Sequence, residues 1–231
     1  MKHTKMLTAA LAAFSLAGAA NAATFTYQFH GASGNVATAS PTSINGLAVN
    51  NPANVGAPTV TVTGWYTENN GGSFSSRDVR QNGTNGLGVG SHTVDNNGDL
   101  EYLLFYFGGA SVDVNSFTIG FVDHTGWYVG SASNADYRWS VGNGPLTTLY
   151  STGSNVNNDA TGTFSVNGAN ALGTYFMIGV KPGDTNDGFK VSAINFNYTT
   201  PPSTQGAPDS GSTVALLGLG LLALAALKRR A

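Results

Sequence analysis

From Ala23 onward, apolar and polar residues alternate with a period of two: Phe25, Tyr27 and Phe29 stand against Thr24, Thr26 and Gln28. That spacing predicts a strand with one buried and one wetted face. Thr59 to Tyr66 (Val60 and Val62 inward), Ser111 to Val122, Gly162 to Val166, Thr174 to Val180 and Phe189 to Tyr198 read the same way. Leu100 to Phe107 is apolar apart from Glu101, as a central strand buried on both faces would be. Along Ser111 to Val122 the apolar phase slips between Val112, Val114 and Phe117, Ile119, Phe121. A bulge or sheet-switching bend near Asn115 accounts for the slip.

Between these runs stand Asn45-Gly46, Gly71-Gly72, Asn82-Gly83, Asn85-Gly86, Asn97-Gly98, Asn143-Gly144 and Asn167-Gly168. Such dipeptides supply the positive φ that hairpin turns need. About eight to ten strands result, with helix nearly absent outside the two termini and no repeat of 20 to 50 residues. The expected fold is all-β: a two-sheet antiparallel β-sandwich, jelly-roll-like, flanked by an N-terminal signal helix and a C-terminal hydrophobic helix.

The two ends depart from this pattern. Lys2 and Lys5, an apolar run from Met6 to Ala20, and Ala20-Asn21-Ala22 compose a charged region, a hydrophobic region and an A-x-A cleavage site. Residues 1–22 read as a signal peptide, cut by signal peptidase between Ala22 and Ala23; the run is too short and too rich in Ala to be a lasting membrane span. Residues 23–199 then form the β domain and 200–207 a linker that begins Pro201-Pro202. Pro208, Asp209, Ser210 and Gly211 follow, then an apolar stretch from Val214 to Leu227, then Lys228, Arg229 and Arg230. The basic cluster halts translocation and stays cytoplasmic, so 213–227 crosses the inner membrane transiently and the domain faces outward. Pro and Gly keep the motif extended for a processing enzyme.

This tripartite tail, 208–231, resembles the exosortase recognition signals of Gram-negative bacteria, the PEP-CTERM class, in the variant that reads Val-Pro-Asp-Ser-Gly; here Ala207 stands in the first place. The resemblance implies an exosortase-like processing enzyme as partner, a mature domain on the cell surface or in the extracellular matrix, and linkage to exopolysaccharide. Gly86-Leu87-Gly88-Val89, His92-Thr93-Val94-Asp95-Asn96 and the strand Leu103 to Phe107 are similar to a group of exosortase-dependent surface proteins, over roughly Leu87 to Trp139. That likeness bears on location and supplies no chemistry.

Composition narrows the partners. Only 10% of residues are charged, against roughly 25% in soluble domains, and 31 are Gly. Between the ends, Arg77, Arg80, Arg138, Lys181 and Lys190 face eleven acids, a net charge of about −6. A domain of that sign does not neutralise phosphates in number, which argues against nucleic acid. The absence of Cys excludes disulfides, Cys-type zinc sites and a thiol nucleophile.

Candidate chemistry in the domain is sparse. Asp95-Asn96-Asn97-Gly98-Asp99-Leu100-Glu101 and Asp184-Thr185-Asn186-Asp187-Gly188 gather oxygen ligands as calcium loops do, but the first departs from the EF-hand spacing, and both suit solvated turns. His30, His92 and His124 lack chelating spacing, and Ser91-His92 sits in no nucleophile elbow. Glu68, Glu101, Asp123 and Asp136 are the carboxylates from which a glycosidase pair would come. Trp65, Trp127 and Trp139 either fill the core or form a sugar-stacking platform. No catalytic residue, metal or cofactor is assigned. The expectation is a non-catalytic exported surface or matrix protein; the alternative is a carbohydrate-binding sandwich, with or without calcium.

Overall fold

The computed structural model describes residues 22–29, 32–37, 42–43, 57–68, 72–83, 85–90, 93–96, 98–123, 135–166, 172–183 and 187–199. The expected signal helix, Ala20, the linker, the 208–211 motif, the apolar stretch and the basic tail lie outside them.

Alternation makes the first strand: in β1 (Ala22–Gln28) Phe25 and Tyr27 are buried, whereas Thr24 is exposed. It pairs along its length with β16 (Gly188–Thr199), from Ala22 opposite Thr199 to Gln28 opposite Ala193. The other flank of β16 carries β10 (Val112–Asp123). Their register jumps from Val114 to Ser116, so Asn115 is the extra residue the sequence pattern calls for. β13 (Gly162–Ser165) and β14 (Leu172–Gly173) add to β10. β7 (Gly86–Val89) and β8 (Val94–Asp95) add to β16, and β6 (Val79–Gly83) and β2 (Ala32–Ala37) continue beyond β7. These nine strands are one antiparallel sheet.

The second sheet has seven: β12 (Ser154–Asp159), β11 (Ala135–Gly142), β15 (Tyr175–Val180), β9 (Leu100–Tyr106), β4 (Thr61–Thr67) and β3 (Thr42–Ser43) in that order, with β5 (Ser75–Arg77) also on β4. β9 sits between β15 and β4, as its apolar run implied. The inner faces meet in an aromatic seam: Phe29 on Phe105 (5.6 Å between centroids), Phe107 on Phe196 (5.1 Å), Phe117 on Phe176 (5.8 Å) and Tyr137 on Phe189 (5.1 Å). Such pairs add about 0.5–1.5 kcal/mol each beyond area burial. The two-sheet antiparallel sandwich is the fold the sequence predicts.

Two details correct the expectation. The described residues hold sixteen strands against the eight to ten foreseen, the surplus being mostly pieces of two to five residues. One helix also appears, α1 (Leu146–Thr152), which buries Leu146 and Leu149 on β11 and β15. Among the described residues no helix is long and apolar enough to cross a membrane.

Candidate functional site

A cluster of charged residues forms where β4 brings β5 and β9 to its two sides. Arg77 ends β5 opposite Gly64, and Glu101 lies in β9 opposite Tyr66. Arg77 Nη1 donates to Glu101 Oε1 at 2.6 Å and Nη2 donates to Asp99 Oδ2 at 2.6 Å, while the guanidinium lies 3.9 Å over the Tyr66 ring. The Asp95 N–H donates to Glu101 Oε2 at 3.1 Å, and Thr93 Oγ1 donates to Asp95 Oδ2 at 3.1 Å. Gly90, at φ +62°, closes on the pair: a Cβ there would sit 2.9 Å from both Arg77 Cδ and Glu101 Oε1.

Glu101 is 3% exposed. Burial, reinforced by the Asp95 charge and opposed by Arg77 and the Asp95 N–H, pushes its carboxyl up to about 8. Burial also works against the Arg77 charge, but the bonds to Glu101 and Asp99 outweigh it and raise the guanidinium's pKa.

The two Asx-rich segments weighed as calcium loops meet here. Gly188 pairs with Asp95, the Asp187 N–H donates to Asn96 Oδ1 at 2.7 Å, and the Asn96 N–H donates to the Asp187 carbonyl at 3.2 Å. The side chains of Asp99 and Glu101 bind Arg77, so the cation these acids face is a guanidinium. Among the described residues no three His, Cys, Asp or Glu side chains are grouped to hold a metal. Asn97, Asp184, Thr185 and Asn186 lie outside the described residues.

The remaining candidates separate. Asp136, 7% exposed, accepts from Lys181 Nζ at 2.8 Å. Glu68 is exposed at the end of β4, and the side chain of Asp123 lies outside the described residues. Glu101 and Asp136 thus each engage a base rather than each other. Trp65 and Trp139 pack half-buried against the core, Trp139 with its ring 6.4 Å from Phe117, and Trp65 Nε1 donates to Thr63 Oγ1 at 2.7 Å. His30, Ser91, His92, His124 and Trp127 lie outside the described residues.

Sequence reasoning missed three features. Tyr106 and Tyr175, opposite each other on β9 and β15, stack at 4.9 Å, and Tyr106 is 37% exposed. Phe74, Tyr102 and Tyr150 form a triangle of edge-on rings, 5.5–5.9 Å apart, where α1 covers the sheet. A cleft of about 270 Å³ opens between the end of β4 and the approach to β5, lined by Tyr66, Thr67, Glu68, Gly72, Ser73 and Ser75. The aromatic residues of 102–107 and 175–176 were the available signal for the first; nothing in the sequence marked the cleft.

Residues 208–231 match the family model described as VPDSG-CTERM motif. The tail is therefore of the PEP-CTERM-like, exosortase-sorted kind, and it implies an exported, membrane-anchored precursor and an exosortase-type processing enzyme. No curated protein and no solved structure matches the chain. The match does not reach the stretch Leu87 to Trp139, and no comparison shows the likeness to exosortase-dependent surface proteins expected there.

Proposed function

We propose that this chain, whose tail is a VPDSG-CTERM motif, is a non-catalytic protein of the cell surface or extracellular matrix, delivered by its two ends and built around a display domain. Signal peptidase removes 1–22; the segment 213–227 then holds the precursor in the inner membrane with Lys228, Arg229 and Arg230 on the cytoplasmic side. An exosortase-like enzyme acts near Pro208, Asp209, Ser210 and Gly211, and the released domain associates with exopolysaccharide.

The match of 208–231 carries this reading. The domain is compatible with it at both ends. Cleavage before Ala23 leaves β1 in register with β16, from Ala23 opposite Tyr198 to Gln28 opposite Ala193. β16 ends at Thr199, just before the Pro-rich linker. The engagement of Glu101 by Arg77 and of Asp136 by Lys181 supports a non-catalytic role, because a glycosidase needs two carboxyl groups facing each other across a bond.

Intact mass spectrometry of the protein recovered from its own cells tests the reading. The expected species begins at Ala23 and ends near Pro208 to Gly211. A chain still ending at Ala231 would overturn processing and leave a plain membrane anchor.

A further inference from the structure

The bond assigned above to signal peptidase, Ala22–Ala23, lies inside a ladder of the folded domain. β1 begins at Ala22, and Ala22 and Ala23 stand opposite Thr199 and Tyr198 of β16. Ala23 packs against the core, and the strand beyond it is held on both faces. Phe25 and Tyr27 are buried and stack on Phe196 at 5.8 and 5.6 Å, and the Tyr27 hydroxyl donates to the Pro58 carbonyl at 3.0 Å. On the other face Thr24 Oγ1 donates to Asn197 Oδ1 at 2.7 Å, and Thr26 Oγ1 accepts from Asn195 Nδ2 at 2.8 Å. No spacer separates the Ala22–Ala23 bond from these contacts.

The C-terminal motif is placed differently. Eight residues, 200–207, separate Thr199 from Pro208, and Pro201 and Pro202 lack the N–H that a continued ladder would need.

We propose that closure of β1 onto β16 shuts the Ala22–Ala23 bond, so that signal removal must precede the docking of β16, whereas the Pro208–Gly211 motif stays open to its enzyme after folding. The proposal rests on the signal-peptide reading above. A peptidase encloses an extended segment and pairs with its N–H and C=O groups. Where those groups are committed to a ladder and the next side chains are buried, the strand has to open first, and only the open fraction is cut. In the reaction itself water adds across the bond, leaving Ala22 as a carboxylate and Ala23 as a free amine. Chain order keeps the bond available early: Thr24 and Asn197 are 173 positions apart, so β1 waits for its partner until nearly the whole domain is made. At about 5–20 residues per second of synthesis, that wait lasts about 10–35 s.

The test uses the full chain in detergent micelles with purified signal peptidase, either present as the chain is diluted out of urea or added after refolding, and mass spectrometry reads the N-terminus. Peptidase present during dilution should yield a chain that begins at Ala23; added after refolding, it should cut at least about tenfold more slowly. Inserting Gly-Ser-Gly-Ser between Ala23 and Thr24 moves the bond off the ladder and should restore fast cutting of the folded chain, with the unfolding midpoint held. An endoprotease specific for Asp should sever the folded parent before Asp209 as fast as it severs the unfolded chain. Equal cutting at Ala22–Ala23 before and after refolding, a folded spacer chain that stays uncut, or protection of Asp209 by folding would each overturn the proposal. No cutting at Ala22–Ala23 under any condition would overturn the signal-peptide reading itself, and this inference with it.

Discussion

Asn115, the extra residue of β10, donates through Nδ2 to Asn195 Oδ1 at 3.0 Å and accepts from Asn197 Nδ2 at 3.1 Å, so one side chain spans two residues of β16. The pair extends onto β1, where Asn195 Nδ2 donates to Thr26 Oγ1 at 2.8 Å and Thr24 Oγ1 donates to Asn197 Oδ1 at 2.7 Å. An insertion that would otherwise loosen the longest ladder of the fold is thus tied on both sides. Its carbonyl accepts from the Val166 N–H at 2.8 Å as well.

This arrangement separates the cost of the side chain from that of the residue. Asn115→Ala removes two part-buried amide bonds and should cost about 1–2 kcal/mol. Deleting Asn115 brings Val112, Val114, Phe117 and Ile119, all four buried, into one unbroken period-two phase, so a regular ladder can keep them on the inner face. The deletion loses the two amide bonds of the side chain and the local twist of the bulge but turns no apolar set outward, so it should cost about 1–3 kcal/mol, at least as much as Asn115→Ala. Urea unfolding of both variants checks it; a deletion within about 0.5 kcal/mol of the parent would show that the bulge is dispensable.

Tyr102 and Gly179 face each other across β9 and β15, and a Cβ on Gly179 would overlap the Tyr102 ring and the Glu101 carbonyl. The ring covers the gap the glycine leaves, and its hydroxyl donates to the Val180 carbonyl at 3.2 Å. Gly179→Ala should therefore cost about 1–3 kcal/mol, as overpacking does, and Tyr102→Ala about 3–5 kcal/mol from the lost ring. In the double variant part of the overlap is gone, so the combined loss should fall below the sum of the singles. Additive losses would mean that ring and glycine do not depend on each other.

The sequence is informative where burial alone decides. Phe25, Tyr27, Phe105, Phe117, Phe196 and the slip at Asn115 were legible because period and phase follow from which side of a strand is dry. β11 was missed because its run, Ala-Asp-Tyr-Arg-Trp-Ser-Val-Gly, interleaves charge with apolar residues; Asp136 is buried there with Lys181 as partner, a residue 45 positions away. α1 was missed because Leu146 and Leu149 give one helical step, too little to register as a period. The acids of 95–101 were legible as a cluster, whereas Arg77 as the cation they meet depends on β4 bringing β5 and β9 to its two sides. Pairings between distant segments leave no local pattern. The cleft at the end of β4 is of the same kind, its described lining coming from both the end of β4 and the approach to β5.

The Arg77–Glu101 pair carries a pH dependence whose sign follows from burial. In the folded chain Glu101 titrates near 8, raised from an ordinary 4.5. Between those values the folded protein keeps a proton that the unfolded chain releases. The stability from this group is fully present below about pH 4.5 and is lost as pH rises toward about 8, at up to about 1.4 kcal/mol per pH unit. Glu101→Gln, which keeps an acceptor for Arg77 Nη1, should flatten that slope, so the difference between the two pH–stability curves isolates the group from other carboxylates. Arg77→Ala leaves Glu101 buried without its cation and should cost about 3–5 kcal/mol near pH 8 and less near pH 5, where the carboxyl is neutral. Asp99→Ala, whose pair with Arg77 is partly solvated, should cost under about 1 kcal/mol. Thermal unfolding of the four chains between pH 5 and pH 9 measures these differences. If the parent grows more stable than Glu101→Gln as pH rises, Arg77 outweighs burial and Glu101 is a charged partner throughout.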